Sequence, residues 1–192
     1  MQDIFVARQP IYDRDLNLVG YELLYRDTAH ARARFDDGAQ ASSKLIINTF
    51  IDFGLEKIVG SSPAFINLTR DFLVDDQQPI PMRCEQVVLE LHESEAPSPE
   101  AIDGLRQLVA QGYTVALDDF VYHPDLEPLL ELAHIVKLDL GVLGRDGLAQ
   151  QIDPCRAYPV KLLAEKVETP EDLEYCAGLG FDYFQGFFFC RP

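Results

Sequence analysis

The 192-residue sequence predicts an α/β chain folded as a trimmed TIM-like (β/α) barrel with an antiparallel first strand. Three observations carry that reading. Short, β-branched and apolar runs alternate with helical stretches at intervals of roughly 20 to 28 residues, the rhythm of repeated β/α units in a parallel sheet. The first two runs are joined by too few residues for a parallel crossover, so they form an antiparallel hairpin. Most runs carry a polar or charged residue at or near their end, which gathers those groups on the carboxyl-terminal rim. The chain falls below the barrel's usual lower size of about 200 residues, so several outer helices must be short or missing.

The hairpin strands are Phe5–Tyr12 and Leu18–Tyr25, linked by the polar Asp13-Arg14-Asp15-Leu16-Asn17. On the second, the two-residue period puts Glu22, Leu24 and Arg26 on one face. Apolar residues at 41, 45, 46, 49, 50 and 53 predict an amphipathic helix from Gly38 to Phe53. Next come a strand over Phe65–Asn67, a helical piece over Thr69–Leu73 and a loop from Asp75 to Arg83 holding Pro79 and Pro81. The strand Val87–His92 leads to a helix that Ser98-Pro99-Glu100 opens as cap and first turn, and that ends near Gly112. Val115–Phe120 is the central strand and Pro124–Leu132 a helix. Ile135–Leu140 is a strand, Asp146 to Ile152 a helix before Pro154, and Val160–Val167 a strand. The helix Pro170–Leu179, closed by Gly180, and the strand Tyr183–Phe189 complete the set of eight strands.

Composition fits one globular domain over residues 1–192, with 47% hydrophobic residues. Sixteen Lys and Arg against 32 Asp and Glu give a formal charge of −16, which opposes binding to a nucleic-acid polymer or an anionic membrane. Cysteines 84, 155, 176 and 190 form no Cys-x-x-Cys pair and have no histidine at zinc-ligand spacing, so reduced thiols are expected. The N-terminus lacks a basic region leading into an apolar one, and no run of about 18 apolar residues occurs anywhere. A cytoplasmic location is the expectation.

The candidate site centres on Thr114-Val115-Ala116-Leu117-Asp118-Asp119-Phe120, an apolar run leading into two adjacent carboxylates. Acids at the end of a buried strand need a partner that offsets their desolvation, and a divalent cation does this. Glu22, Asn67, Glu90, Asp118, Asp119, Lys137, Glu165 and Gln185 all fall at strand ends. Carboxylate and amide oxygens without His or Cys suit Mg²⁺ or Mn²⁺. Adjacent aspartates suggest two metals that share ligands, an arrangement suited to in-line displacement at a phosphodiester. Lys137 would hold the water or a phosphoryl oxygen, and Glu165 would orient or deprotonate that water. Any one acid among 32 is an ordinary surface group; joint placement at strand ends is what marks these.

From about Phe5 to Pro192 these motifs resemble the EAL family, the bacterial phosphodiesterases that linearise cyclic di-GMP. The residues are Gln9-Pro10-Ile11, Gly20-Tyr21-Glu22-Leu23-Leu24-Tyr25-Arg26, Phe65-Ile66-Asn67-Leu68-Thr69, Leu89-Glu90-Leu91-His92-Glu93 and Leu117-Asp118-Asp119-Phe120. Lys137-Leu138-Asp139, Ala164-Glu165-Lys166-Val167-Glu168 and Gln185-Gly186-Phe187 extend the match. The resemblance implies Glu22, Asn67, Glu90 and Asp118 as ligands of a first metal, with Asp119 serving a second. It implies Lys137 and Glu165 as the pair handling water, Arg26, Gln185 and Gln9 as contacts to the dinucleotide, and Glu93 as a brace for the loop after Asp119.

Departures from the family pattern are Leu23 for Ala, His92 for Thr and Lys166 for Gly. After Asp119 the family's glycine-containing loop is replaced by Val121-Tyr122-His123-Pro124-Asp125-Leu126, which cannot take the same path because Pro fixes φ and Val resists φ > 0. Two readings are open. One is a metal-dependent phosphodiesterase, weakened if Asp119 is turned away from the second metal. The other is a catalytically silent module that binds cyclic di-GMP or a protein partner. The compact barrel resembles the branch in which such a domain precedes an HDOD signalling domain, so a C-terminal HDOD-like domain and a homodimer are further expectations.

Overall fold

A computed structural model describes residues 4–27, 54–74, 82–92 and 98–191. Eight strands close into a barrel in chain order: β1 Ile4–Asp13, β2 Leu18–Asp27, β3 Ala64–Leu68, β4 Val87–His92, β5 Thr114–Asp118, β6 Ile135–Asp139, β7 Lys161–Glu165 and β8 Tyr183–Phe184. β1 runs antiparallel to both neighbours, β2 and β8, and every other pairing is parallel. The expected barrel and its reversed first strand are therefore present. Trimming shows in the helices. α1 (Leu55–Val59) and α2 (Arg70–Val74) have five residues each and α4 (Glu127–Leu130) four, against twelve in α3 (Pro99–Ala110), sixteen in α5 (Leu140–Cys155) and ten in α6 (Pro170–Leu179).

Local chemistry explains the starts and stops. Ser98 Oγ accepts from the Ala101 amide at 3.3 Å to open α3, and Thr169 Oγ1 accepts from the Asp172 amide at 3.1 Å to open α6. Gly180, at φ 94, closes α6 in the left-handed conformation. The expected Gly38–Phe53 helix and most of the Asp75–Arg83 loop lie outside the described residues.

Several boundaries differ from expectation. The helix expected over Pro124–Leu132 is a 3-10 turn, Pro124–Leu126, leading into α4. α5 begins directly after β6 because Asp139 Oδ1 caps it, accepting from the Val142 amide at 3.0 Å, and it breaks at Gly144, whose φ 65 and ψ 174 are not helical. β5 stops at Asp118. β8 spans two residues, since the chain turns at Gly186. The Val167 amide donates to Gln185 O at 3.0 Å and the Phe188 amide to Val167 O at 3.1 Å, so the backbones are pressed together there. A Cβ on Gly186 would collide with the Val167 carbonyl oxygen. Gly186→Ala is expected to cost about 2 kcal/mol or more, the range for overpacking against atoms that cannot withdraw. Urea unfolding checks this, and a change below about 0.5 kcal/mol, typical of a neutral surface site, would contradict it.

The two-residue period divides the sheet into two apolar regions. Outward side chains, among them Ile66, Leu89, Leu91, Val115, Leu117, Val136, Leu138, Leu162 and Phe184, form the core beneath the helices. Inward ones form a separate plug of Ile11, Phe65, Val88, Ala116, Ile135 and Leu163. One step toward the rim, the same inward columns change to Gln9, Asn67, Glu90, Asp118, Lys137 and Glu165. Glu22, in register with Gln9, completes the layer from β2.

Candidate active site

The polar layer is organised by Lys137, whose side chain is fully buried. Its Nζ lies 2.6 Å from Glu90 Oε1, 2.6 Å from Asp118 Oδ1, 3.2 Å from Glu165 Oε1 and 3.6 Å from Glu22 Oε2. Among the described residues, four acids around one ammonium leave a surplus of negative charge in a desolvated space. The acids hold Lys137 protonated, raising its pKa well above the usual lysine value against the opposing effect of burial. Burial pushes Glu90 well above the ordinary carboxylate range, and Glu165 up to about 8, with Lys137 opposing in both cases.

The altered loop leaves Asp119 in place. In an extended strand, neighbouring side chains point to opposite faces, so Asp118 and Asp119 can share a site only if the chain turns between them. Asp119 supplies that turn itself at φ 48, a conformation Asp tolerates better than most residues. Ligand oxygens of Asp118, Asp119 and Glu165 consequently lie within 4.8 Å of one another. The condition under which the phosphodiesterase reading would weaken, an Asp119 turned away, is not the arrangement seen here: its carboxylate stays beside those of Asp118 and Glu165. Beyond it the loop is fixed: the Phe120 amide donates to Lys137 O at 3.1 Å, the Tyr122 amide to Gln151 Oε1 at 2.6 Å, and the Tyr122 hydroxyl to Glu127 Oε1 at 2.8 Å. Lys166 likewise accepts φ 55 directly after Glu165, where the resembling family has glycine.

The remaining expected residues gather around the same rim. Asn67 is in register with Glu90 on the neighbouring strand, hence on the same inward face. Gln185 Nε2 donates to Glu22 Oε2 and, at 3.2 Å, to Gln9 Oε1, so β1, β2 and β8 are tied at the rim. Arg26 is in β2, in register with Phe5, and its side chain lies outside the described residues, as does Glu93. Two neighbours were not anticipated. His92 Nε2 sits 3.7 Å from Asp119 Oδ2, which its position two residues beyond Glu90 on an inward column could have signalled. Asp139 acts as the cap of α5, and its charge helps raise the pKa of Asp119, although burial and Asp118 contribute more.

Glu90 Oε2, Glu165 Oε2 and Gln185 Oε1 are buried and have no hydrogen-bond partner among the described residues. Three orphaned oxygens, two of them on acids, fit the demand of a hard divalent cation for oxygen donors. The surplus charge also has a thermodynamic consequence. A carboxyl whose folded pKa is raised favours the folded chain below its unfolded value near 4.5, and that contribution disappears as pH rises through about 8. Metal-free protein is expected to lose thermal stability between about pH 5 and 8, and saturating Mn²⁺ or Mg²⁺ to flatten that slope. Thermal melts with chelator and with metal measure it; a melting temperature that rises over this window without metal would contradict the charge balance.

Fold and rim together define a (β/α) barrel with an acidic, cation-suited site at the carboxyl ends of its strands. The family model of the EAL domain matches residues 50–192, and the chain belongs to the EAL domain family. It is 34% identical over 195 residues to cyclic di-GMP phosphodiesterase CdgJ of Vibrio cholerae, a match covering 100% of this chain and 45% of that protein. The chain spans about half the length of the curated relatives it matches. Among solved structures it is similar to the Bacillus subtilis YkuI protein, in complex with cyclic di-GMP and calcium, with TM-score 0.76 and 22% identity over 99% of this chain and 55% of that one. It is also similar to Klebsiella pneumoniae BlrP1 in its manganese and cyclic di-GMP complex, with TM-score 0.75 and 21% identity over 100% of this chain and 59% of that one. At these identities the likeness shows the fold. Among the described residues, no helix is long and apolar enough to cross a membrane.

Proposed function

We propose that this barrel is a metal-dependent phosphodiesterase that opens one phosphodiester bond of cyclic di-GMP to give the linear dinucleotide. The observation that carries the reading is the buried Lys137 ringed by Glu22, Glu90, Asp118 and Glu165, with Asp119 retained beside Asp118 and Glu165. Names of the relatives support the same substrate. Glu22, Asn67, Glu90 and Asp118 would hold a first Mg²⁺ or Mn²⁺, and Asp119 a second. Such an ion supplies Lewis-acid neutralisation of the phosphodiester charge and makes water a better nucleophile.

The chain's own residues do the rest. The Lys137 ammonium orients the attacking water and meets charge growing on the phosphoryl oxygens. Glu165 accepts the proton of that water, and a base with a pKa near the working pH is efficient at this. Water oxygen bonds to phosphorus, one P–O ester bond breaks, and solvent protonates the departing sugar oxygen. Arg26, Gln185 and Gln9 bind the dinucleotide, and Glu93 braces the loop after Asp119.

Residues 1–192 form a single barrel domain in this reading, able to precede an HDOD-like domain or meet a second copy or another protein. Cys84, Cys155, Cys176 and Cys190 are free thiols, which fits a reducing cytoplasm and supports that location. The test is purified protein with cyclic di-GMP and Mn²⁺ or Mg²⁺, scored for linear product. Product that disappears with chelator supports the reading. Binding heat without product would favour the silent module, and neither would remove the substrate assignment.

A further inference from the structure

We propose that His92 supplies a nitrogen donor to the cation served by Asp119, giving this chain's site a preference for Mn²⁺ over Mg²⁺. The inference rests on reading the rim as a divalent-metal site.

Position is the first argument. Along β4 the inward column runs Val88, Glu90, His92, from apolar plug to buried acid to the mouth of the barrel. His92 is in register with Asp118 of β5, so both side chains are directed to the same face. Its ring is 37% exposed, at the rim where a hydrated cation enters.

Spacing is the second. Donors bound to one ion at about 2.1 Å lie about 3 Å apart when adjacent and about 4.2 Å apart when opposite. His92 Nε2 and Asp119 Oδ2 are 3.7 Å apart, between those limits. This exceeds a good hydrogen bond. As an ion pair between half-exposed groups it would contribute at most about 1 kcal/mol. Asp119 cannot drift away, because its φ of 48 and the Phe120 amide bond to Lys137 O fix the turn that presents it.

Donor chemistry is the third. The resembling motif has threonine here, a hydroxyl that competes poorly with water for a cation. Imidazole raises affinity for later first-row ions, whereas Mg²⁺ favours oxygen. A histidine at this column therefore shifts selectivity without disturbing the oxygen set below it.

The experiment uses the whole chain loaded with Mn²⁺ and pulsed electron paramagnetic resonance to detect ¹⁴N coupling, beside calorimetric affinities for Mn²⁺ and Mg²⁺. The expected result is a nitrogen coupling lost in His92→Thr, with the ratio of Mn²⁺ to Mg²⁺ affinity falling at least about tenfold. His92→Gln, which keeps bulk and offers an oxygen donor, should likewise lose the nitrogen signal and the Mn²⁺ preference. Mn²⁺ binding without ¹⁴N coupling, or an unchanged affinity ratio in His92→Thr, would overturn this inference and leave the site's proposed function standing. Absence of Mn²⁺ binding in the unmodified chain would overturn both.

Discussion

Replacing Lys137 by methionine is expected to strip the metal-free chain of about 3–5 kcal/mol of its stability near pH 8. Methionine preserves much of the volume, so the loss is electrostatic: the ammonium is 2.6 Å from both Glu90 and Asp118 and is fully buried. Removing one partner of a buried ion pair costs about 3–5 kcal/mol, and among the described side chains this ammonium faces four acids. Total stability of a domain is about 5–15 kcal/mol, so the variant sits close to the unfolding threshold. The acids can instead take up protons, and a divalent ion can take over the balance. Lys137→Met should thus regain stability toward pH 5 and with saturating Mn²⁺, while turnover stays depressed by about 10²- to 10⁴-fold because water loses its electrostatic partner. Denaturant unfolding with chelator, at both pH values, checks the first part. A loss below about 1 kcal/mol at pH 8 would show that the acids do not depend on this ammonium.

Asp119→Asn should separate chemistry from binding. Asn tolerates the left-handed conformation that Asp119 adopts, so the turn at φ 48 survives while the charge is lost. Turnover is expected to fall by about 10²- to 10⁴-fold. Affinity for cyclic di-GMP should change only a few-fold, because the proposed dinucleotide contacts Arg26, Gln185 and Gln9 are untouched. Kinetics beside calorimetry on the same preparation would show this split. Retained turnover would mean that Asp119 serves no ion, whatever its proximity to Asp118 and Glu165.

What was legible in the sequence was the material governed by period and spacing. Alternation along β4 to β7 puts Glu90, Asp118, Lys137 and Glu165 one step above the apolar plug, and this can be read without coordinates once strands are assigned. The hairpin was implied by the length of its linker. Features set by contacts between distant segments were not legible. Tyr183–Phe189 has the aromatic content of a full strand, yet β8 ends after two residues because Gly186 turns against Val167, nineteen positions earlier. α1 is too short for a period to show.

Residue types alone locate the conformational demand of the loop after Asp119 at Val121 and Pro124. In the fold the left-handed turn falls on Asp119 itself, and Gln151 of α5 anchors the Tyr122 backbone beyond it. Loss of glycines therefore does not carry the acid away. A lysine at 166 in the left-handed region makes the same point on β7: surrounding structure can impose a conformation that the residue alone would avoid.

The most direct test of the central claim is anomalous diffraction at the manganese edge from crystals grown with Mn²⁺ and a cyclic di-GMP analogue that resists hydrolysis. The account predicts manganese bound by oxygens of Glu90 and Asp118 at about 2.1 to 2.2 Å, a second ion touching Asp119, and the Lys137 ammonium displaced from its 2.6 Å contacts toward the phosphate. Bound ligand without manganese in the ring, and Lys137 still paired with Glu90 and Asp118, would contradict it.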